Sequence, residues 1–189
     1  MIDTKNRKQQ ILETAAQLFH KQGYQAASMR ELASLVGLKQ ASSLYSHYES
    51  KEAMLKDICF DNAQKFVDGM AQIEQSEQSA AQMLQQLLKL HIRIAVEDRT
   101  SIIVFSEEWR HLSEPHLNAF LDLRRDYEKR FLAIIQRGIE DQEIVDIDPQ
   151  LALYTLLASL RWLHYSQKDW TIQRLQQDVG TFLLNGLLR

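Results

Sequence analysis

Between positions 39 and 51 the chain reads KQASSLYSHYESK, a run of small or planar hydrogen-bonding side chains with no carboxylate before Glu49. Lys39, Gln40, Ser42, Ser43, Tyr45, His47 and Tyr48 can all donate to anionic oxygens, and amides and hydroxyls can also read base edges. Ser50 and Lys51 follow at a predicted helix start, where a serine cap, free backbone N–H groups and a cation converge on one spot. The chemistry written here is recognition of phosphates and bases.

Such a face needs short helices held at an angle, and the preceding residues supply the signals. Ser28 and Glu31 have the spacing of a capping box, so a helix is expected to begin at Met29. Met29, Leu32, Ala33 and Val36 form an apolar stripe one face wide, with Arg30, Glu31 and Ser34 directed elsewhere. Gly37 stands where the stripe ends and can take the left-handed conformation that lets a chain leave a helix sharply. A second short helix is expected over 41–47, with Leu44 as its one core residue.

These residues resemble the TetR family of one-component transcriptional regulators. The resemblance runs through Ile11, Leu12, Ala15, Phe19 and Gly23-Tyr24, then Ser28, Leu32-Ala33, Gly37, Leu44-Tyr45, His47-Tyr48 and Ser50-Lys51-Glu52. Between Gly37 and Leu44 this chain is one residue longer than the usual family pattern. The resemblance implies an all-α protein of about nine helices. A three-helix, helix-turn-helix DNA-binding domain over 1–50 would precede a helical ligand-binding and dimerisation domain over 51–189. It implies a homodimer formed through the last two helices and a repressor that leaves a palindromic operator when a small effector binds. In such a complex Ser28 and Arg30 lie beside the DNA, Lys39, Gln40, Ser42 and Ser43 stand nearest the bases, and Tyr45, His47, Tyr48 and Lys51 hold phosphates.

Composition agrees with that division. Net charge is −3 overall, but residues 1–56 carry eight Lys or Arg against five Asp or Glu, whereas the remainder carries fourteen against twenty. A modestly cationic head on an acidic body follows, a weak signal without the motif. Six glycines and two prolines leave little room for a loop-rich β fold. Cys59 is the only cysteine, which excludes an internal disulfide and a cysteine-based zinc site. It shares an apolar helix side with Leu55 and Ile58 and reads as packing. No apolar run approaches the ~18 residues of a membrane span, so the expected location is cytoplasmic, with no membrane contact.

From Lys51 onward the pattern stays helical. One long helix is expected over 51–74, interrupted by the polar stretch 75–79. Another carries Leu84, Leu87, His91 and Ile94, and a further one spans about 102–112. Ser113-Glu114-Pro115, Asp148-Pro149 and Thr171 read as start signals for the last three. Leu156, Leu160 and Leu163 with Phe182, Leu183 and Leu187 make the two terminal helices apolar enough either to pair with a second subunit or to fill the monomer's own core.

Effector candidates are the aromatic and cationic residues Phe105, Trp109, Arg110, Arg124, Tyr127, Arg161, Trp162 and Tyr165, which could supply apolar walls and hold an acidic group. Glu107-Glu108-Trp109-Arg110, the segment 125–127, Gly138 and Trp162 also resemble a branch of the family whose effectors are acyl-CoA thioesters. Two rival readings stand beside this one. In the first, segment 28–51 merely packs within a helical protein-interaction module. In the second, Glu108 and His111 form the Glu-x-x-His unit of a helical-bundle metalloenzyme, although such a site needs that unit twice and it occurs once. No glycine-rich phosphate loop or nucleophile motif is present, so the expectation is no enzyme, no catalytic residue, no metal and no cofactor.

Overall fold

The computed structural model describes residues 4–40, 42–166 and 168–188, with side chains from Arg7 onward. Among these residues nine α-helices form and no strand, and an isolated antiparallel bridge joins Ile144 to Leu188. The helices are α1 (Thr4–Gln22), α2 (Met29–Leu35), α3 (Ser42–Tyr45), α4 (Lys51–Glu74), α5 (Ala80–Glu97), α6 (Arg99–Glu107), α7 (His116–Glu140), α8 (Pro149–Arg161) and α9 (Ile172–Leu184). Short 3-10 turns follow α6 and α8 at Trp109–His111 and Trp162–His164.

Two compact units result. The first comprises Met1–Asn62 and Thr100–Phe120, the second Ala63–Arg99 and Leu121–Arg189. The expected domains, 1–50 and 51–189, divide the chain elsewhere, since the first half of α4 and the stretch 100–120 belong to the head unit. In that unit Ile11, Ala15, Phe19, Leu32, Leu44, Met54 and Leu55 are almost wholly excluded from solvent. Cys59 is buried among them, and burial pushes its thiol up to about 12, as packing rather than redox chemistry requires. Asn62 is the buried polar residue here, and its amide donates to the Ile58 carbonyl at 2.8 Å and to the Ser101 hydroxyl at 2.6 Å.

In the second unit α5 contributes a broad apolar face, with Leu84, Leu87, Leu88 and Ile92 each at most 1 % exposed. A Cβ on Gly69 of α4 would stand 2.4 Å from a methyl of Leu90, so the absence of a side chain lets those two helices approach closely. Leu156, Leu160 and Leu163 fill this unit's own core, whereas Leu151, Tyr154 and Phe182 are the large apolar side chains that α8 and α9 leave exposed. Of the terminal-helix residues singled out above, Phe182 therefore stands out at 82 % exposure, while the α8 leucines are spent inside the monomer.

Several helix ends follow their sequence signals. Asp148 caps α8 with Pro149 in its first turn, and the Thr171 hydroxyl accepts from the Arg174 N–H at the start of α9. Ser113 departs from its expected role. Helix α7 opens only at His116, and the Ser113 backbone N–H and hydroxyl both donate to the Glu52 carboxylate at 2.8 Å. A carboxylate within reach attracts a neutral hydroxyl more strongly than a helix end does. The helix expected over 102–112 likewise stops at Glu107 and tightens into the 3-10 turn. The complete capping box in the chain's described residues is at Ser79 and Gln82, which opens α5.

Candidate nucleic-acid interface

The geometry of the head begins at its caps. Ser28 accepts from the Glu31 N–H at 3.1 Å, which satisfies one orphan donor of α2. The reciprocal half of the expected box is not made, because the Glu31 carboxylate takes the Gln22 amide at 2.9 Å instead. At the other end Gly37 has φ +74°. The Leu38 N–H reaches the Ala33 carbonyl at 2.8 Å and the Gly37 N–H that of Ser34 at 3.1 Å, the paired bonds of a Schellman motif. Arg7 from α1 donates to the Val36 carbonyl at 2.7 Å, so the exit from α2 is held from two sides.

Beyond that exit the expected helix over 41–47 is reduced to the four residues of α3, and Ala41, its expected first residue, lies outside the described residues. The cause is local. The Ser46 hydroxyl donates to the Ser43 carbonyl at 2.8 Å and that of Ser42 to the Gln40 amide oxygen at 3.2 Å. Serines that bond nearby backbone and side chains compete with helix propagation, and Leu44 alone supplies a core anchor. Around that anchor Arg30, Lys39, Gln40, Ser42, Ser43 and Tyr45 are exposed and His47 is half-buried. None of these seven side chains is a carboxylate, and α3, which carries Ser42, Ser43 and Tyr45, packs against α2.

Tyr48 and Lys51 lie otherwise than the expected phosphate contacts. Tyr48 is 4 % exposed, its hydroxyl bonds Asp57, and burial with that carboxylate pushes the phenol well above its ordinary range. Lys8 covers the ring at 4.8 Å while pairing with Asp57 at 3.2 Å. The Lys51 ammonium donates to the carbonyls of Tyr24, Gln25 and Ala27 at 2.7, 3.2 and 2.8 Å and lies 4.3 Å from the Tyr24 ring centroid. Desolvation holds its pKa below the ordinary value. An ammonium has three protons, and here each has a carbonyl. Ser50 caps α4 by accepting from the Ala53 N–H at 3.0 Å.

The Tyr24 ring also stacks on His111 at 5.3 Å, and His111 pairs with Glu108 at 3.3 Å. Glu108 and His111 thus engage each other and the α1–α2 turn, and among the described residues no cluster of three or more His, Cys, Asp or Glu side chains could hold a metal. No described helix is long and apolar enough to cross a membrane.

The effector candidates separate into groups. Phe105 and Trp109 gather on Phe120 in the first unit, with ring centroids 5.7 and 5.9 Å away, and the Arg110 guanidinium lies 4.7 Å from the Trp109 ring. The other five belong to the second unit. There Arg124 pairs with Glu128 at 2.8 Å, Trp162 meets Trp170 edge-on at 5.8 Å, Tyr165 lies 6.2 Å from His164, and Arg161 is exposed. Tyr127 is buried at 2.7 Å from His91, between Phe66 and Phe131. His91, Phe66 and Phe131 were not among the candidates, and the available signal was a histidine occupying a position in the apolar stripe of α5.

Comparison with known proteins covers both units. A family profile described as "Bacterial regulatory proteins, tetR family" matches residues 11–58, and one described as "Tetracyclin repressor-like, C-terminal domain" matches residues 77–187. The HTH-type transcriptional repressor KstR2 of Rhodococcus jostii is 24% identical over 187 residues, 96% of this chain and 91% of that protein. The solved ketosteroid transcriptional regulator KstR2 of Mycobacterium tuberculosis superposes with a TM-score of 0.90 at 22% identity, covering 97% of this chain and 95% of that one. The structure of AibR in complex with isovaleryl coenzyme A and operator DNA superposes with a TM-score of 0.81 at 19% identity, covering 93% of this chain and 97% of that one.

Proposed function

The chain belongs to the TetR family of transcriptional regulators, and on that premise we propose that it is a homodimeric repressor released from a palindromic operator by an amphipathic, acyl-CoA-type effector. The carrying observation is that Arg30, Lys39, Gln40, Ser42, Ser43 and Tyr45 are exposed and His47 half-buried on and around a capped α2, a turn closed by Gly37 and the short α3 packed against α2. Two copies of that segment, one per subunit, enter successive major grooves about one helical turn apart. Lys39, Gln40, Ser42 and Ser43 read base edges, while Tyr45 and His47 hold phosphates together with the N–H groups at the start of α4. The exposed Leu151, Tyr154 and Phe182 of α8 and α9 support a subunit interface through these helices, because a two-fold operator requires a two-fold protein.

An effector bound in the second unit acts through α4, which contributes residues to both units, and changes the spacing of the two recognition faces. The complex of AibR with a coenzyme A thioester supports this effector class. Fluorescence anisotropy with DNA from upstream of the gene tests the reading. The operator affinity should fall by roughly 10³-fold or more between 50 and 200 mM salt if six or more phosphates are neutralised. Acyl-CoA thioesters should restore fast tumbling. Absence of binding to any such fragment at low salt would overturn the proposal.

A further inference from the structure

Helix α1, the turn after α3 and the first half of α4 leave a cleft of about 500 Å³ between them, wholly within the first unit. Lys8 and Leu12 of α1 line it, with His47 and Tyr48 of the turn and Asp57 and Asp61 of α4. Of the residues proposed above to meet DNA, only His47 is among them.

The chemistry of the cleft is that of a cation site. The Tyr48 phenol bonds the Asp57 carboxylate, and the Lys8 ammonium pairs with the same carboxylate at 3.2 Å while standing 4.8 Å from the Tyr48 ring centroid. A cation on the chain itself thus already sits where an aromatic ring and a carboxylate meet. Its hold is light, because the Lys8 side chain is 53 % exposed and ion pairs open to water are weak. Asp61 lies one helical turn beyond Asp57, and its charge also bears on the Tyr48 phenol. The lining therefore carries two carboxylates against one ammonium.

That balance selects the occupant. An anion would face both carboxylates. A bare metal ion lacks ligands, since among the described residues no cluster of three or more His, Cys, Asp or Glu side chains could hold one. An organic cation meets neither obstacle. Residues i and i+4 of a helix have Cβ atoms about 5–6 Å apart, a spacing that two ammonium groups joined by three or four methylenes can match. Leu12 and Tyr48 give those methylenes an apolar wall, as they already do for the stem of a lysine.

We propose that this cleft binds a short aliphatic diamine, one ammonium replacing Lys8 at Asp57 and the Tyr48 ring and the other pairing with Asp61. The site lies in the first unit and is separate from the effector reading given above. Because His47 both lines the cleft and belongs to the segment proposed to meet DNA, occupancy is a further input to operator binding. That consequence rests on the regulator reading, whereas the binding itself does not.

The test uses the full chain labelled with 15N, at constant ionic strength and without DNA, titrated with 1,4-diaminobutane, n-butylamine and magnesium chloride. Amide shifts with the diamine should gather at residues 8–12, 46–48 and 57–61, with affinity about two- to fivefold above that of the monoamine. Lys8→Met removes the competing ammonium and should tighten diamine binding about two- to fivefold. Lys21→Met, at an exposed lysine near the other end of α1, should leave it unchanged. Asp61→Asn, also at an exposed position, should erase the advantage of the diamine over the monoamine. Equal affinity for the two amines, the same shifts with magnesium, or equal effects of Lys8→Met and Lys21→Met would each show general charge screening and overturn the proposal. Failure of the regulator reading would appear in separate operator titrations and leave these results legible.

Discussion

Replacing Lys51 by methionine removes the ammonium and keeps most of the apolar stem. In the native head this group donates to three carbonyl oxygens between 2.7 and 3.2 Å and stands over the Tyr24 ring at 4.3 Å. Hydrogen bonds to a charged donor are worth about 1.5–3 kcal/mol each in mutational series, but these three share one cation. The carbonyl of Gln25 is exposed enough to find water, and desolvation already lowers the lysine pKa. A net loss of about 2–3 kcal/mol of head stability is therefore expected, read as a lower urea midpoint with an unchanged m-value. The salt slope of DNA binding provides the second readout. A phosphate contact contributes about 0.9 to the slope of log K against log salt, whereas an internal staple contributes nothing. The expected result is reduced stability with the slope intact. A slope smaller by about one, with stability unchanged, would show that Lys51 leaves its carbonyls to hold a phosphate and would refute this reasoning.

Gly37→Ala places a β-carbon where no atom lies within 4 Å, so the only penalty is the left-handed backbone at φ +74°. A loss of about 1–2 kcal/mol by thermal denaturation is expected. Phe182→Asp should disrupt the proposed subunit interface. Burying a phenylalanine is worth about 1.5–3 kcal/mol and a two-fold interface contains it twice, so dimer affinity should fall by two orders of magnitude or more, visible in sedimentation equilibrium. Because the folded pKa of His91, about 4, lies below its ordinary 6.5, the unfolded chain takes up that proton first. Stability should decline as pH falls from about 6.5 toward 4, by at most roughly 3 kcal/mol. Denaturation across this range should be flatter in His91→Phe.

How much of this was legible before folding depends on the range of the interaction concerned. Ser28, Gly37, Asp148 and Thr171 announce their roles because a cap or a left-handed exit is decided within four residues. The face of Lys39, Gln40, Ser42, Ser43 and Tyr45 could likewise be read, since Leu44 is the only residue there able to bury itself. Lys51, Tyr48 and Ser113 could not be placed, because each is claimed by a group distant in sequence: the carbonyls of the α1–α2 turn, Asp57 and Glu52 respectively.

The amino-acid sequence by itself determined the helical class and the caps and turn of the helix-turn-helix, since these rest on short-range periodicity and spacing, and its motifs carried the resemblance to the family. Only the tertiary structure decided which cations face outward, which leucines of α8 serve the monomer's core, and that His91 meets Tyr127. Those outcomes depend on which distant polar group or apolar surface reaches a side chain first. A hydrogen bond or a buried face, once committed to one partner, is no longer available to another.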